Sequence, residues 1–286
     1  MNAMVNIVYY QQNKKSYLKD LLEEYNSYPI NVDIFIHSNK YKISDLKNIN
    51  YTNGNVKVIK YFLNIKYLLF SNRGYYLTWA PRKFIKNNLN NYDIFIFSDD
   101  DILIPKSAFK YWLKYKDRLF SEKYLPGFIL LEVNNDNEEV ALGFDNKKLT
   151  EIIKIENTNF YVHNNHKYTA SWIYDKNMMN YWIESGKYNI KTAVNKKDLR
   201  SNLLDLLKIN NLALRYKFYD FRNKKGYGIR ENSAYGMATP NSNLIKNVLL
   251  KIEDNELSDE IKIYHLDSHY SKENHPSAQV KLKQII

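Results

Sequence analysis

Three carboxylates stand side by side at Asp99, Asp100 and Asp101, preceded by Ser98 and by the nearly all-apolar run Tyr92-Asp93-Ile94-Phe95-Ile96-Phe97. Adjacent carboxylates repel one another and are costly to cluster unless a cation or basic groups compensate. Ligands that are all oxygen select a hard divalent ion such as Mg²⁺ or Mn²⁺. The run before them has the length and composition of a strand covered on both faces, so the triplet falls where a central strand ends. In open parallel sheets ligands bind at that end, because loops diverge there and helix N-termini point inward. The competing reading is a solvated acidic turn capping the next helix.

The elements that must position the triplet are readable on both sides of it. Val5 to Tyr10 reads as a strand that stops at polar Gln11-Gln12, and Tyr17, Leu18, Leu21, Leu22 and Tyr25 follow at helical spacing. Val32 to Ile36 and Val56 to Ile59 read as two further strands, and a helical segment spans about Leu77 to Leu89. After the triplet, Pro105 stands near the start of a helix carrying Phe109, Trp112, Leu113 and Leu119; Pro126-Gly127 then precedes a strand, Phe128 to Leu131. Alternating strands and helices predict an α/β fold with a mixed, mostly parallel sheet flanked by helices. The later chain is less regular, with helices expected at about 175–185 and 198–209, a Gly-rich stretch at 226–236 and a last strand from Ile261 to Leu266. No repeat or long linker divides it. The expectation is one domain over 1–286, with a nucleotide-binding half to about residue 135 and an acceptor-facing half from 136 onward.

Composition narrows the function. The chain has 286 residues, 44% of them hydrophobic and 15% aromatic, enough to bury the core of a large domain. It has no cysteine, which removes disulfides, thiolate zinc sites and cysteine nucleophiles and leaves a metal only oxygen or imidazole ligands. No run approaches the roughly 18 apolar residues of a membrane span, and the N-terminus has no basic segment leading into an apolar one. The reading is a soluble, cytoplasmic protein, with peripheral contact at the cytoplasmic face of an anionic membrane open to it. The net charge of +11 draws polyanions in general, a nucleotide diphosphate among them, without choosing one.

Beyond the triplet, the chain resembles a family of GT-A glycosyltransferases. Its members carry Leu-Thr-Trp-x-x-Arg, then a Tyr-Asp-x-Phe-Ile strand ending in paired acids, then Pro-Gly-Phe. The matching residues here are Leu77-Thr78-Trp79-Ala80-Pro81-Arg82, Tyr92-Asp93-Ile94-Phe95-Ile96 through Asp101, and Pro126-Gly127-Phe128, with weaker echoes at 168–172, 230–234 and 264–266. The likeness is good over about residues 75–135. Family members often have Glu-Asp-Asp where this chain has three Asp, which keeps oxygen ligands but leaves open which carboxylate meets the metal. The resemblance implies a GT-A, Rossmann-like fold and transfer of a sugar from a UDP- or GDP-sugar to a glycan, protein or lipid-linked hydroxyl acceptor, with Mn²⁺ or Mg²⁺. It assigns Asp101 to the metal and Asp99 to the donor ribose, to the metal or to a metal-bound water, with Asp100 beside them at the donor. It also implies a late histidine ligand, for which His265 in Ile263-Tyr264-His265-Leu266 fits and His269 is the second choice. Tyr9, Tyr10 and Gln11, after the first strand, fall where such folds hold the nucleobase.

Transfer with inversion needs a carboxylate base at the acceptor hydroxyl. Glu231 is the candidate, following Gly226-Tyr227-Gly228-Ile229-Arg230, with Asp136, Glu132 and Asp175 as rivals and a surface Arg-Glu pair as the plain alternative. Arg82, with Lys83 beside it, could clamp a diphosphate through its guanidinium fork or cap its own helix. Trp79 and Trp172 could stack on a sugar or base, although tryptophans at such positions are more often core. Two other functions compete. Clustered Asp also serves phosphoryl transferases and nucleases, but no phosphate-binding Gly-x-x-x-x-Gly-Lys-Ser/Thr loop or kinase motif is present. Lys, Arg and Tyr could also build a non-enzymatic RNA- or glycan-binding module, but they are scattered, which argues against a specific nucleic-acid partner.

Overall fold

Apolar strands at the start of the chain build the sheet on which everything else rests. The structure, a computed structural model, describes residues 1–9, 17–38, 46, 49–61, 77–143, 149–163, 169–189, 233–238, 244–250, 257–272 and 280–285. Strands β1 (Asn2–Tyr9) and β2 (Asn31–Ser38) pair in parallel, Val5 opposite Ile34 and Ile7 opposite Ile36. Between them in sequence lies helix α1 (Leu18–Asn26), which buries Leu18, Leu21, Leu22 and Tyr25 along one stripe. Strand β3 (Val56–Lys60) extends the sheet beyond β2, and β4 (Ile94–Asp99) pairs in parallel with the other edge of β1. All six residues of β4 are buried, as expected of a strand covered on both faces.

Helix α2 (Ala80–Asn87) opens with Pro81 in its first turn, where a missing N–H costs nothing. After β4 and the short β5 (Ile102–Leu103), α3 (Lys106–Ser121) buries Phe109, Trp112, Tyr115 and Leu119. The remaining strands are β6 (Tyr124–Pro126), β7 (Ile129–Val133), β8 (Glu139–Ala141), β9 (Ile152–Ile155), β10 (Thr158–His163), β11 (Ser171–Asp175), β12 (Lys246–Leu250), β13 (Lys262–His265) and β14 (Val280–Lys281). Helix α4 (Lys176–Glu184) follows β11, and the single turn α5 (His269–Lys272) follows β13.

The protein is mixed α/β, and the described residues form three sheets where one was expected. The first runs β11-β4-β1-β2-β3, parallel except for β11, which lies antiparallel against β4. The second runs β14-β8-β7-β13-β5 and the third β6-β12-β10-β9, each mixing parallel and antiparallel pairs. One cluster of buried apolar side chains reaches from Ala3 to Ile285. In the first sheet the chain steps from β1 outward through β2 and β3, then returns to β4 on the other side of β1. The order therefore reverses between β1 and β4, and the carboxyl ends of those two strands flank the crevice where open sheets take ligands. Among the described residues no helix is long and apolar enough to cross a membrane.

Candidate metal and donor site

Asp99 is the last residue of β4, opposite Val8 of β1, so the triplet and Tyr9 emerge at the same edge of the crevice. Asp99 is buried and its N–H donates to the Ala170 carbonyl at 3.1 Å. Ala170 is held there at φ 49°, a left-handed conformation that an L-residue adopts only when its surroundings enforce it. The Ser98 hydroxyl lies 2.9 Å from the Asp99 carbonyl oxygen and 3.1 Å from that of Ile102, spanning the acidic turn. Asp100 and Asp101 are half-buried.

The second sheet brings His265 to this turn. Ile102 of β5 sits opposite His265 of β13, and the Leu266 N–H donates to the Asp101 carbonyl at 2.8 Å. Nε2 of His265 lies 3.1 Å from Oδ2 of Asp101. On the other side of the ring Nδ1 is hydrogen-bonded to Oε1 of Glu132, which projects from β7, the parallel neighbour of β13. The imidazole thus stands between two carboxylates, with Glu132 fully buried and the Asp101 side chain 23% exposed. Burial alone would lower the histidine pKa, but the hydrogen bonds to Asp101 and Glu132 and the charge of both outweigh it and raise it to about 9. Burial likewise pushes Glu132 up, and the bonds from His265 and from the Ser271 N–H bring it below the usual carboxylate range.

These residues could hold a divalent ion. Asp101 offers oxygen, and His265 offers nitrogen once a cation displaces the Nε2 proton, a mixture that suits Mn²⁺ and, on the oxygen side, Mg²⁺. Glu132, His265 and His269 also bring one ligand atom each within 4.8 Å of one another. His269 follows a turn with Ser268 at φ 49°, its Nδ1 3.0 Å from Oδ2 of Asp267.

The remaining candidates are placed as follows. Tyr9 closes β1 with its side chain buried. Arg82 is a correction: its guanidinium is buried, stacked 4.0 Å from the Trp79 ring and 4.4 Å from Trp182, and it donates to the carbonyls of Tyr188 and Ser233. Those contacts occupy the fork that a diphosphate would need, and they tie α2 to two distant segments. Trp79 and Trp172 are core residues; Trp172 stacks on Phe97 of β4 and Tyr174. Asp175 caps α4 by accepting the Met178 N–H at 2.9 Å and pairs with Lys116 at 2.6 Å, so it is engaged structurally and not poised as a base. Asp136 is exposed in the turn between β7 and β8. Tyr10, Gln11 and Glu231, with the expected helix at 198–209, lie outside the described residues.

Sequence reasoning counted Glu132 only as a rival base and missed its contact with His265. The signal was a lone carboxylate in the apolar run Ile129-Leu130-Leu131-Glu132-Val133, because a buried charge demands a partner.

No family model and no curated protein matches the chain. Among solved structures it is distantly similar to S. aureus TarS, at 14% identity and a TM-score of 0.34, over 63% of this chain and 29% of that one. A likeness that slight carries no functional argument, so the function has to be read from the side chains of the site.

Proposed function

We propose that the protein is a metal-dependent glycosyltransferase of the GT-A kind, moving a sugar from a nucleotide-diphosphate sugar to a hydroxyl acceptor. The observation that carries this reading is the meeting of Asp101 and His265 at the carboxyl end of β4, beside the crevice between β1 and β4. Asp101 and His265 would hold Mn²⁺ or Mg²⁺, with Asp99 reaching the ion, its water or the donor ribose and Asp100 beside them. An ion held there would supply Lewis-acid stabilisation of the leaving diphosphate. Tyr9 and Gln11 are proposed at the nucleobase, because β1 ends at the same crevice. If the transfer inverts the anomeric centre, Glu231 takes the proton of the acceptor hydroxyl as it attacks.

The test is a panel of UDP- and GDP-sugars incubated with the protein and Mn²⁺, with products resolved by chromatography. Release of UDP or GDP that stops in EDTA supports transfer, with water standing in for the acceptor. Release of inorganic phosphate would instead favour phosphoryl-transfer chemistry, and no turnover of any donor with or without candidate acceptors contradicts the proposal.

A further inference from the structure

Metal binding by Asp101 and His265 and proton removal by Glu231 leave Glu132 without a task, yet it is a carboxylate withdrawn fully from solvent and engaged in two specific contacts. One oxygen is hydrogen-bonded to Nδ1 of His265, and the other accepts the Ser271 N–H at 2.6 Å. Ser271 belongs to α5, and its hydroxyl lies 3.1 Å from the Ser268 carbonyl and 3.3 Å from that of Val133. One buried side chain therefore anchors both the histidine and the turn that follows it onto β7. Metal-bound histidines commonly donate their second ring N–H to a carboxylate, which fixes which nitrogen faces the ion and makes that nitrogen a better donor.

We propose that Glu132 is the positioning residue of the metal centre: its carboxylate keeps the hydrogen on Nδ1 of His265, so that Nε2 is the nitrogen presented to Asp101 and to a divalent cation. This rests on the reading of Asp101 and His265 as ligands. It differs from the arrangement in which Glu132, His265 and His269 themselves grip an ion, which ligand atoms lying within 4.8 Å of one another also permit. Both oxygens of Glu132 already serve protein donors, and Asp101 occupies the Nε2 side. That distribution favours Glu132 behind the histidine and not at the metal.

Two measurements decide it. In Zn²⁺-loaded wild type, nitrogen NMR of ¹⁵N-labelled histidine should show Nε2 of His265 ligated and Nδ1 protonated; this needs no variant and no activity. Ligation through Nδ1 overturns the proposal. In parallel, Mn²⁺ titrations compare wild type, Glu132→Gln and Asp101→Asn. Glu132→Gln should keep the wild-type circular dichroism and lose about 10- to 100-fold in Mn²⁺ affinity, the usual effect of removing an outer partner. In the Zn²⁺-loaded variant the His265 nitrogen signals should no longer show the single state with Nε2 ligated and Nδ1 protonated. If Asp101→Asn loses Mn²⁺ while Glu132→Gln binds as wild type, Glu132 has no positioning role and the metal reading survives. If Asp101→Asn also binds as wild type, the metal reading fails and the role of Glu132 falls with it.

Discussion

Nε2 of His265 and Oδ2 of Asp101 lie 3.1 Å apart although the two residues are 164 positions apart in the chain. Two independent pieces of backbone enforce that meeting: the two-residue strand β5 laid against β13, and the Leu266 N–H bound to the Asp101 carbonyl. The acidic turn is therefore not a free loop end. It is held between the first sheet, through Asp99 and Ala170, and the second, through β13.

Arg82 should behave as a structural residue. Arg82→Ala takes the guanidinium from the Tyr188 carbonyl and from the faces of Trp79 and Trp182, while the Ser233 carbonyl keeps the Trp172 Nε1–H at 3.4 Å, and should cost about 2–4 kcal/mol in urea unfolding. Arg82→Lys should recover little of that, because an ammonium cannot reproduce the planar fork and its stacking. Nucleotide affinity of folded Arg82→Lys should match wild type; a large drop in affinity with stability intact would return Arg82 to the donor site.

The strands that stand out most plainly in sequence are the most deeply buried, although β3 and β13 were also read despite exposed or half-buried residues. Val5 to Tyr10, Val32 to Ile36 and Tyr92 to Phe97 announce β1, β2 and β4 because both faces of each are covered and the apolar run is continuous. Strand β9 was not legible: Ile152–Ile155 is exposed or half-exposed throughout, and a four-residue stretch alternating with Lys carries too little periodicity. The acidic triplet could be read from residue types, and the late histidine only through the family resemblance. The contact of Glu132 with His265 could not, because it depends on β7 lying beside β13, a pairing of Lys262 with Ile129 that no local pattern encodes. Arg82 misled for a related reason, since the aromatic and carbonyl groups that bury it come from residues 182, 188 and 233.

The choice of base separates Glu231 from Asp175. Glu231→Gln should lower turnover by about 10²- to 10⁴-fold and leave donor binding intact, if the transfer inverts. Asp175→Ala should cost about 1–2 kcal/mol through loss of the α4 cap and its ion pair, with turnover unchanged in the folded fraction. The opposite pattern, or retention of configuration in the product by NMR, removes Glu231 from the role.

Acid sensitivity should trace in part to His37. Its ring is buried in the first sheet between the Tyr61 hydroxyl and the Asn6 side chain, each at 2.9 Å, and burial lowers its pKa to about 3. The folded state holds the neutral form. The unfolded chain takes up a proton near the ordinary histidine pKa of about 6.5, so this contribution is full above that value and falls as pH drops toward 3. The slope approaches about 1.4 kcal/mol per pH unit from this group alone. Urea midpoints measured from pH 7.5 down to 4.5 should fall less steeply for His37→Gln than for wild type, even though the variant starts lower. Parallel slopes would assign the acid sensitivity to other groups.

Whether Asp101 with His265 forms a metal centre for a nucleotide diphosphate is decided by calorimetric titration of UDP and GDP. Three samples suffice: wild type with Mn²⁺, wild type with EDTA, and Asp101→Asn with Mn²⁺. A metal centre at these two residues requires saturable binding of one of the two nucleotides to wild type with Mn²⁺, weakened at least about tenfold in both other samples. Equal affinity in all three, with circular dichroism unchanged, would contradict it.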